Sequence, residues 1–143
     1  MEFDKTTQDA LKLIHEGNHI IFREVGRVCE KYHLNYFLDS GNLIGAVREK
    51  SDIPWDDDAD IAMTRKDFEV FRKVARTELK DGFVYVEPDE LNGAFYDFVP
   101  RVVMLDSTMR ENNAEQKYYG NGIHNHMRTD IFIVDDVSDN MLK

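Results

Sequence analysis

Four of the five residues from 56 to 60 are aspartates, and an apolar segment follows them directly. Carboxylates this close repel one another, so a folded chain keeps them together mainly where a cation neutralises them. The alternation of acidic or small residues with apolar ones from Asp58 to Met63 predicts a β-strand that carries Asp58 and Asp60 on one face. Carboxylates that project in parallel can bind a hard divalent cation. The sequence therefore predicts a site for Mg²⁺, or Mn²⁺, at this strand.

A short element with a Ser-Gly pair lies upstream of the acidic strand. Residues 36–39 are predicted to form a strand. Ser40 and Gly41 are predicted to form a turn that leads into a short helix from Asn42 to about Arg48. Backbone N–H groups at a helix N-terminus favour an anionic phosphate. A phosphate cradle followed by paired carboxylates is what metal-assisted phosphoryl transfer requires.

A third carboxylate usually completes such a site from a neighbouring strand. Asp130 has this setting, because Thr129–Val134 is predicted to be a strand. If that strand pairs beside the one around Asp60, Asp130 can bind a second metal or accept a proton. The predicted catalytic and metal-binding residues are Asp58, Asp60 and Asp130.

The rest of the chain predicts helices and strands around this site. Apolar residues recur at helical spacing from Thr7 to Tyr32, with Cys29 near the apolar face. Thr64 opens a capping-box pattern and a second helix. Further strands are expected at 83–87 and 95–105, and a polar loop is expected at about 107–128.

Composition places these elements in one domain spanning residues 1–143, with 42% hydrophobic residues and a net charge of -10. An acidic surface disfavours duplex nucleic acid as a partner. No apolar run approaches the ~20 residues of a membrane span, and residues 1–20 lack a secretory leader pattern. A cytoplasmic location is therefore expected, and the single cysteine fits a reducing compartment.

Two metal-site patterns compete with this interpretation. Asp56, Asp58 and Asp60 occupy the first, third and fifth places of an EF-hand loop, but the sixth place is Ile61 rather than Gly and the twelfth is an aspartate. Residues 15–19 match the zinc-protease motif H-E-x-x-H, yet its two central residues are poor helix formers and no third ligand is evident. Both patterns are disfavoured, and the two histidines are interpreted as exposed residues of the first helix.

Several basic and aromatic residues have roles that the sequence leaves open. Arg48 and Arg101 can neutralise a substrate phosphate or form ion pairs with the many acids. His124 and His126 can contact phosphate, although solvated loop histidines are commoner. Tyrosines 118–119 can stack on a base or enclose a quaternary ammonium, although loop packing is the commoner role.

Two separated motifs follow the order of a known family pattern. The first is a Gly-Thr turn, then Leu-Leu-Gly-Ala-Val-Arg, then Ile-Pro-Trp-Asp-Asp-Asp with a further Asp two residues on. The chain matches it at Gly41, Leu43, Gly45, Ala46, Val47, Arg48, Ile53, Pro54, Trp55, Asp56, Asp57, Asp58 and Asp60. The second, Asp-Ile-Phe-Pro-Leu-Asp, is met by residues 130–135. The chain thus resembles the LicD family of phosphocholine transferases, which are related to fukutin-type transferases.

The resemblance implies an α/β (α+β) nucleotidyltransferase-like fold, a small mixed sheet with flanking helices. It also implies metal-dependent transfer of phosphocholine, or another phospho-alcohol, from a CDP-linked donor to a hydroxyl of a cell-surface glycan or teichoic-acid-like acceptor. The predicted substrate-binding residues are Ser40, Gly41, Asn42, Arg48 and Arg101.

Three departures from the family pattern qualify this interpretation. Asn42 replaces a usual Thr, and residues 49–51 replace a His-containing segment. Both changes can alter contacts with phosphate or substrate. The sequence stops soon after the second motif, as expected for a catalytic-core fragment or an unusually short member. A catalytically incomplete nucleotide- or metal-binding module of the same fold is the alternative function.

Overall fold

A long amphipathic helix opens the computed structural model, which describes residues 4–88, 98–107 and 126–136. This helix, α1, spans Lys5–Tyr32; the Asp4 side chain caps its start, and it ends at His33, which is in the left-handed region. The predicted helix is confirmed, and Cys29 is buried on it as expected. Among the described residues no helix is long and apolar enough to cross a membrane.

A five-stranded mixed sheet forms the centre of the fold, in the order β1-β2-β5-β4-β3. The strands are β1 Phe37–Leu38, β2 Asp60–Thr64, β3 Phe83–Val86, β4 Arg101–Met104 and β5 Met127–Val134. The β2 and β5 strands are parallel, whereas the other neighbours are antiparallel. Between β1 and β2 lie α2, Ser40–Ile44, and a π-helical turn, Gly45–Glu49. The helix α3, Arg65–Glu78, follows β2. This is the predicted α/β class with flanking helices.

The hydrophobic core lies between one face of the sheet and the helices α1 and α3. Ile61 and Ile131 on the central parallel strands pack with Val25 of α1 and Phe71 of α3, and all four are fully buried. Each such side chain stabilises the fold by roughly 1.5–3 kcal/mol. Because side chains alternate along a strand, the residues next to Ile61 and Ile131 lie on the opposite face. The helices therefore fix which face carries the acidic residues.

Two predicted boundaries near the acidic segment are wrong. The strand begins at Asp60, not Asp58, because side-chain amides of Asn18 and Asn42 bind the Asp58 carbonyl. The short helix begins at Ser40 rather than at Asn42, because the Asp39 side chain accepts a hydrogen bond from the Ser40 N–H and caps it.

Elsewhere the predicted elements occur with shifted ends. The capping box is confirmed, since Thr64 Oγ1 accepts a hydrogen bond from the Asp67 N–H. The strand expected at 95–105 is Arg101–Met104 among the described residues, and the last strand begins at Met127 rather than at Thr129. Residues 108–125 of the predicted loop, including His124 and tyrosines 118–119, lie outside the described residues.

Candidate active site

Acidic residues meet on neighbouring strands at the edge where β2 begins. Asp60 and Asp130 are Cα partners across the parallel pair β2–β5. Neighbouring strands lie about 4.8 Å apart, and paired residues project from the same face. Beyond the end of β1, the Asp39 N–H donates to the Asp60 carbonyl at 3.1 Å. The two strands therefore lie side by side, as a shared role for Asp60 and Asp130 requires.

Arg101 extends this row on the other side of Asp130. It is the Cα partner of Asp130 on β4, and only 4% of it is exposed. Its Nε and Nη2 donate to the two carboxylate oxygens of Asp130 at 2.6 and 3.2 Å. Of the two roles considered for Arg101, the structure contains the ion pair. The pair fixes the orientation of Asp130 and leaves lone pairs of its carboxylate for other contacts.

The aspartates before β2 form a second part of the site. Carboxylate oxygens of Asp56, Asp57 and Asp58 all lie within 4.8 Å of one another. The Asp56 carboxylate packs against the backbone of Gly41, where an added Cβ would lie 1.8 Å from Asp56 Oδ2. The glycine therefore allows α2 and the acidic segment to approach closely.

Two buried amides hold the segment from Asp58 to Asp60 in place. Asn42 Oδ1 accepts a hydrogen bond from the Asp60 N–H at 2.7 Å, and its Nδ2 donates to the Asp58 carbonyl at 3.4 Å. Asn18 Nδ2 of α1 donates to the same carbonyl at 3.1 Å. Both asparagines are less than 10% exposed. Their geometry is that of positioning residues that set the direction of the two carboxylates.

The local electrostatics disfavour negative charge on this segment. Partial burial, followed by the nearby carboxylates of Asp57 and Asp56, raises the pKa of Asp58. Burial is also the main cause that raises the pKa of Asp60 to about 6; a hydrogen bond from Ser40 opposes it, and the Asp130 and Asp58 carboxylates add to it. A bound cation would relieve both effects.

A small cavity lies among these side chains. Its volume is about 30 Å³, and its lining residues include Asn18, Asp58, Asp60, Arg128 and Asp130. That volume admits one ion or water-sized group, since a water needs roughly 10–15 Å³. The hard oxygen ligands and the raised carboxyl pKa values fit Mg²⁺ or Mn²⁺. A larger cavity of about 580 Å³ is lined by residues that include His19 and Phe22 of α1, Asn42 of α2, and Asp52.

The remaining predicted site residues have other surroundings. Ser40 and Gly41 form the first turn of α2, and Ser40 bonds to Asp60. Arg48 is exposed, and its Nε donates to Glu49 at 2.6 Å. His126 Nδ1 bonds to the Ser107 carbonyl.

Sequence reasoning missed the contribution of α1. His15 is half-buried rather than exposed, and it contacts the acidic segment together with Asn18. The signal was a set of polar residues at positions i, i+3 and i+4, beside the buried face of an amphipathic helix.

The burial of Asp60 predicts an unusual pH dependence of stability without metal. Its pKa in the folded state is about 6, above the ordinary 3.8, so between these values the folded state binds more protons than the unfolded state. We therefore expect the Tm in EDTA to rise as the pH falls from 7 to about 5. Carboxyls with lowered pKa values, such as Glu24 and Glu78, lose their contribution only at lower pH. Thermal melts at pH 7, 6 and 5 check this, with Asp60→Asn as the control; equal pH responses in the two proteins would contradict it.

Most of the chain matches one protein family, and parts of it are similar to individual bacterial proteins. A family model described as LicD/FKTN/FKRP, nucleotidyltransferase domain, matches residues 33–143. The lipopolysaccharide cholinephosphotransferase LicD of Haemophilus influenzae is 50% identical over 44 residues, 31% of this chain and 17% of that protein. Uncharacterised proteins of Rickettsia typhi and Rickettsia prowazekii are 33% identical over 54 residues and 36% over 47; those segments cover 38% and 33% of this chain. The matched segment spans less than a fifth of each relative's length.

Proposed function

The chain belongs to the LicD/FKTN/FKRP family of nucleotidyltransferase domains, and we propose that it transfers a phosphocholine-like group from a CDP-linked donor to a hydroxyl group, with release of CMP. The acceptor is a glycan or a teichoic-acid-like polymer. The observation that carries this proposal is the in-register pairing of Asp60, two residues after Asp58, with Asp130. The relative whose name describes it as a lipopolysaccharide cholinephosphotransferase supports the choice of transferred group.

In this proposal Asp58 and Asp60 hold Mg²⁺ or Mn²⁺. Bound there, the cation would offset negative charge on the donor phosphates and on the leaving CMP. Asp130 either contributes a ligand for a second cation or accepts the proton of the acceptor hydroxyl. Arg101 orients Asp130 in both cases, because it binds both carboxylate oxygens.

The proposed substrate contacts lie on α2 and the turn that follows it. In this proposal a donor phosphate binds at Ser40 and Gly41, where it would replace the Asp39 side chain as the partner of the Ser40 N–H, and the exposed Arg48 supplies positive charge. Asn42 is assigned instead to holding the carboxylates, because its amide bonds to backbone atoms of Asp58 and Asp60. The cavity of about 580 Å³ beside Asn42 has the volume of a typical small-molecule site.

Donor binding is expected to depend on a divalent cation. With a net charge of -10, the chain repels an anionic nucleotide unless a cation bridges its phosphates to the carboxylates. Calorimetry with CDP-choline should show affinity in Mg²⁺ or Mn²⁺ that falls at least tenfold in EDTA. Equal affinity in EDTA would contradict the proposal. Metal-dependent binding without CMP release, tested with a hydroxyl acceptor present, would favour the binding module over the enzyme.

A further inference from the structure

The polar face of α1, formed by His15, Asn18 and His19, contacts residues 52–60, the loop that contains the aspartates. The contacts are at positions 52, 56 and 58. We propose that this face is a positioning element that sets the divalent-cation affinity of residues 52–60. The inference rests on the metal site of the proposed function. It goes further because α1, Lys5–Tyr32, lies before residue 33, where the match to the family begins.

Two hydrogen bonds fix the backbone of the acidic segment to α1. His15 Nε2 donates to the Asp56 carbonyl at 2.7 Å, and Asn18 Nδ2 donates to the Asp58 carbonyl at 3.1 Å. The His15 side chain is 16% exposed, and Asn18 is 3% exposed. Both bonds are therefore largely shielded from water, and breaking either one leaves a polar group without its partner.

The beginning of the segment is held by the same face. His19 Nε2 lies 3.1 Å from the carboxylate of Asp52, and His15 Nδ1 lies 4.0 Å from it. Residues at i, i+3 and i+4 lie on one side of a helix, so the three side chains reach positions 52, 56 and 58 from one surface. The face thus adds three contacts, at positions 52, 56 and 58, to a loop that is also held by its own turn, by α2, and by hydrogen bonds from Thr129 and Asp130 of β5 to the Ala59 carbonyl.

This contact has a consequence for metal affinity. The carboxylates of Asp56, Asp57 and Asp58 lie within 4.8 Å of one another, although their charges repel. A free loop would relax and separate them, and a cation would then have to reorder it on binding. A held loop is already ordered, so the cation binds more tightly. Outer-shell partners that bond to the ligands themselves typically change metal affinity by about 10–100-fold, and we expect His15, which bonds to the backbone of the same loop, to act at the lower end of that range.

The same geometry accounts for the H-E-x-x-H pattern without zinc. In the part of the chain that the structure describes, the only group of three or more metal-ligating side chains with ligand atoms within 4.8 Å of one another is that of Asp56, Asp57 and Asp58; neither the two histidines with Asp52 nor Asp58, Asp60 and Asp130 form one. His15 Nε2 bonds to the Asp56 carbonyl and His19 Nε2 to the Asp52 carboxylate, so both imidazoles have partners in the loop. Glu16, between the histidines, is exposed. The histidines instead bind the loop.

The test is Mn²⁺ calorimetry on the full chain at pH 7.5 without nucleotide. His15→Ala removes the donor to Asp56 but keeps a strong helix former. We expect its Mn²⁺ affinity to fall at least tenfold while its Tm stays within a few degrees of wild type. His15→Gln, whose amide can donate to the same carbonyl, should restore affinity to within about threefold of wild type. Glu16→Gln is the matched control and should change affinity less than twofold.

Two results would overturn the inference in different ways. Equal Mn²⁺ affinity of His15→Ala and wild type would refute the positioning role and leave the proposed function intact. No Mn²⁺ binding by the wild-type chain would refute the metal site, and the positioning role with it. Hydrogen exchange adds an independent readout: amides of residues 56–60 should exchange faster in His15→Ala than in Glu16→Gln, and equal exchange would count against the role.

Discussion

Asp60→Asn is expected to abolish metal-dependent transfer and to leave the metal-free protein at least as stable as wild type. The carboxylate of Asp60 is partly buried beside other acids, and its pKa is raised to about 6. At pH 7 an amide of the same shape removes this unfavourable charge and can keep the bond to Ser40. Loss of a metal ligand removes several kcal/mol of charge stabilisation in the transition state, or about a 10³-fold loss in rate.

The measurements are CMP release and the Tm in EDTA, with Asp57→Asn as the control. Asp57 is an exposed neighbour in the same acidic run, so its replacement changes the net charge equally. We expect a much smaller loss of rate for the control. A wild-type rate in Asp60→Asn would refute the metal-ligand role, and a collapse of its metal-free Tm would show that Asp60 has a structural role instead.

Asp130→Asn is expected to have the opposite effect on stability. Asp130 is the bidentate partner of Arg101, which is 4% exposed, and an amide cannot replace the carboxylate in this buried ion pair. Breaking such a pair lowers the free energy of unfolding by about 3–5 kcal/mol. The lower end of this range applies here because 23% of the Asp130 side chain is exposed. Urea unfolding of Asp130→Asn should therefore show a loss of about 3 kcal/mol.

A double-mutant cycle separates the ion pair from other effects of the substitution. Arg101→Met combined with Asp130→Asn should be more stable than Asp130→Asn alone, because the guanidinium that lost its Asp130 carboxylate is then absent. If Asp130→Asn is as stable as wild type, the pair does not support the sheet. Mn²⁺ affinity, measured where the variant stays folded, then separates the two roles of Asp130. A metal-ligand role predicts weaker binding, whereas a proton-acceptor role predicts unchanged binding with lost transfer.

Local sequence patterns predicted the elements of the fold better than their pairing. The helical spacing of α1, the capping box at Thr64 and the alternation before Met63 each depend on neighbouring residues. The contact of Asp60 with Asp130 joins residues 70 positions apart, and no local pattern determines which strand lies between two others. From the sequence alone, a shared role for Asp60 and Asp130 could therefore be predicted only on the assumption that their strands pair.

The buried polar contacts were the hardest part to predict. Asn42 resembled a substrate contact because it follows the Ser-Gly pair, yet its amide bonds to the backbone of Asp58 and Asp60. His15 resembled an exposed helix residue, yet its partner is the carbonyl of Asp56, 41 positions away. Both roles depend on backbone groups, whose positions follow from the tertiary fold rather than from residue type.

The proposed cation site is tested most directly by the position of Mn²⁺ in crystals grown with CDP-choline, located by anomalous diffraction. We expect an anomalous peak within about 2.2 Å of carboxylate oxygens of Asp58 and Asp60, with the donor phosphates completing the coordination of the cation. A peak bound only by Asp56 and Asp57, or no peak at these strands while the nucleotide is bound, would contradict this expectation.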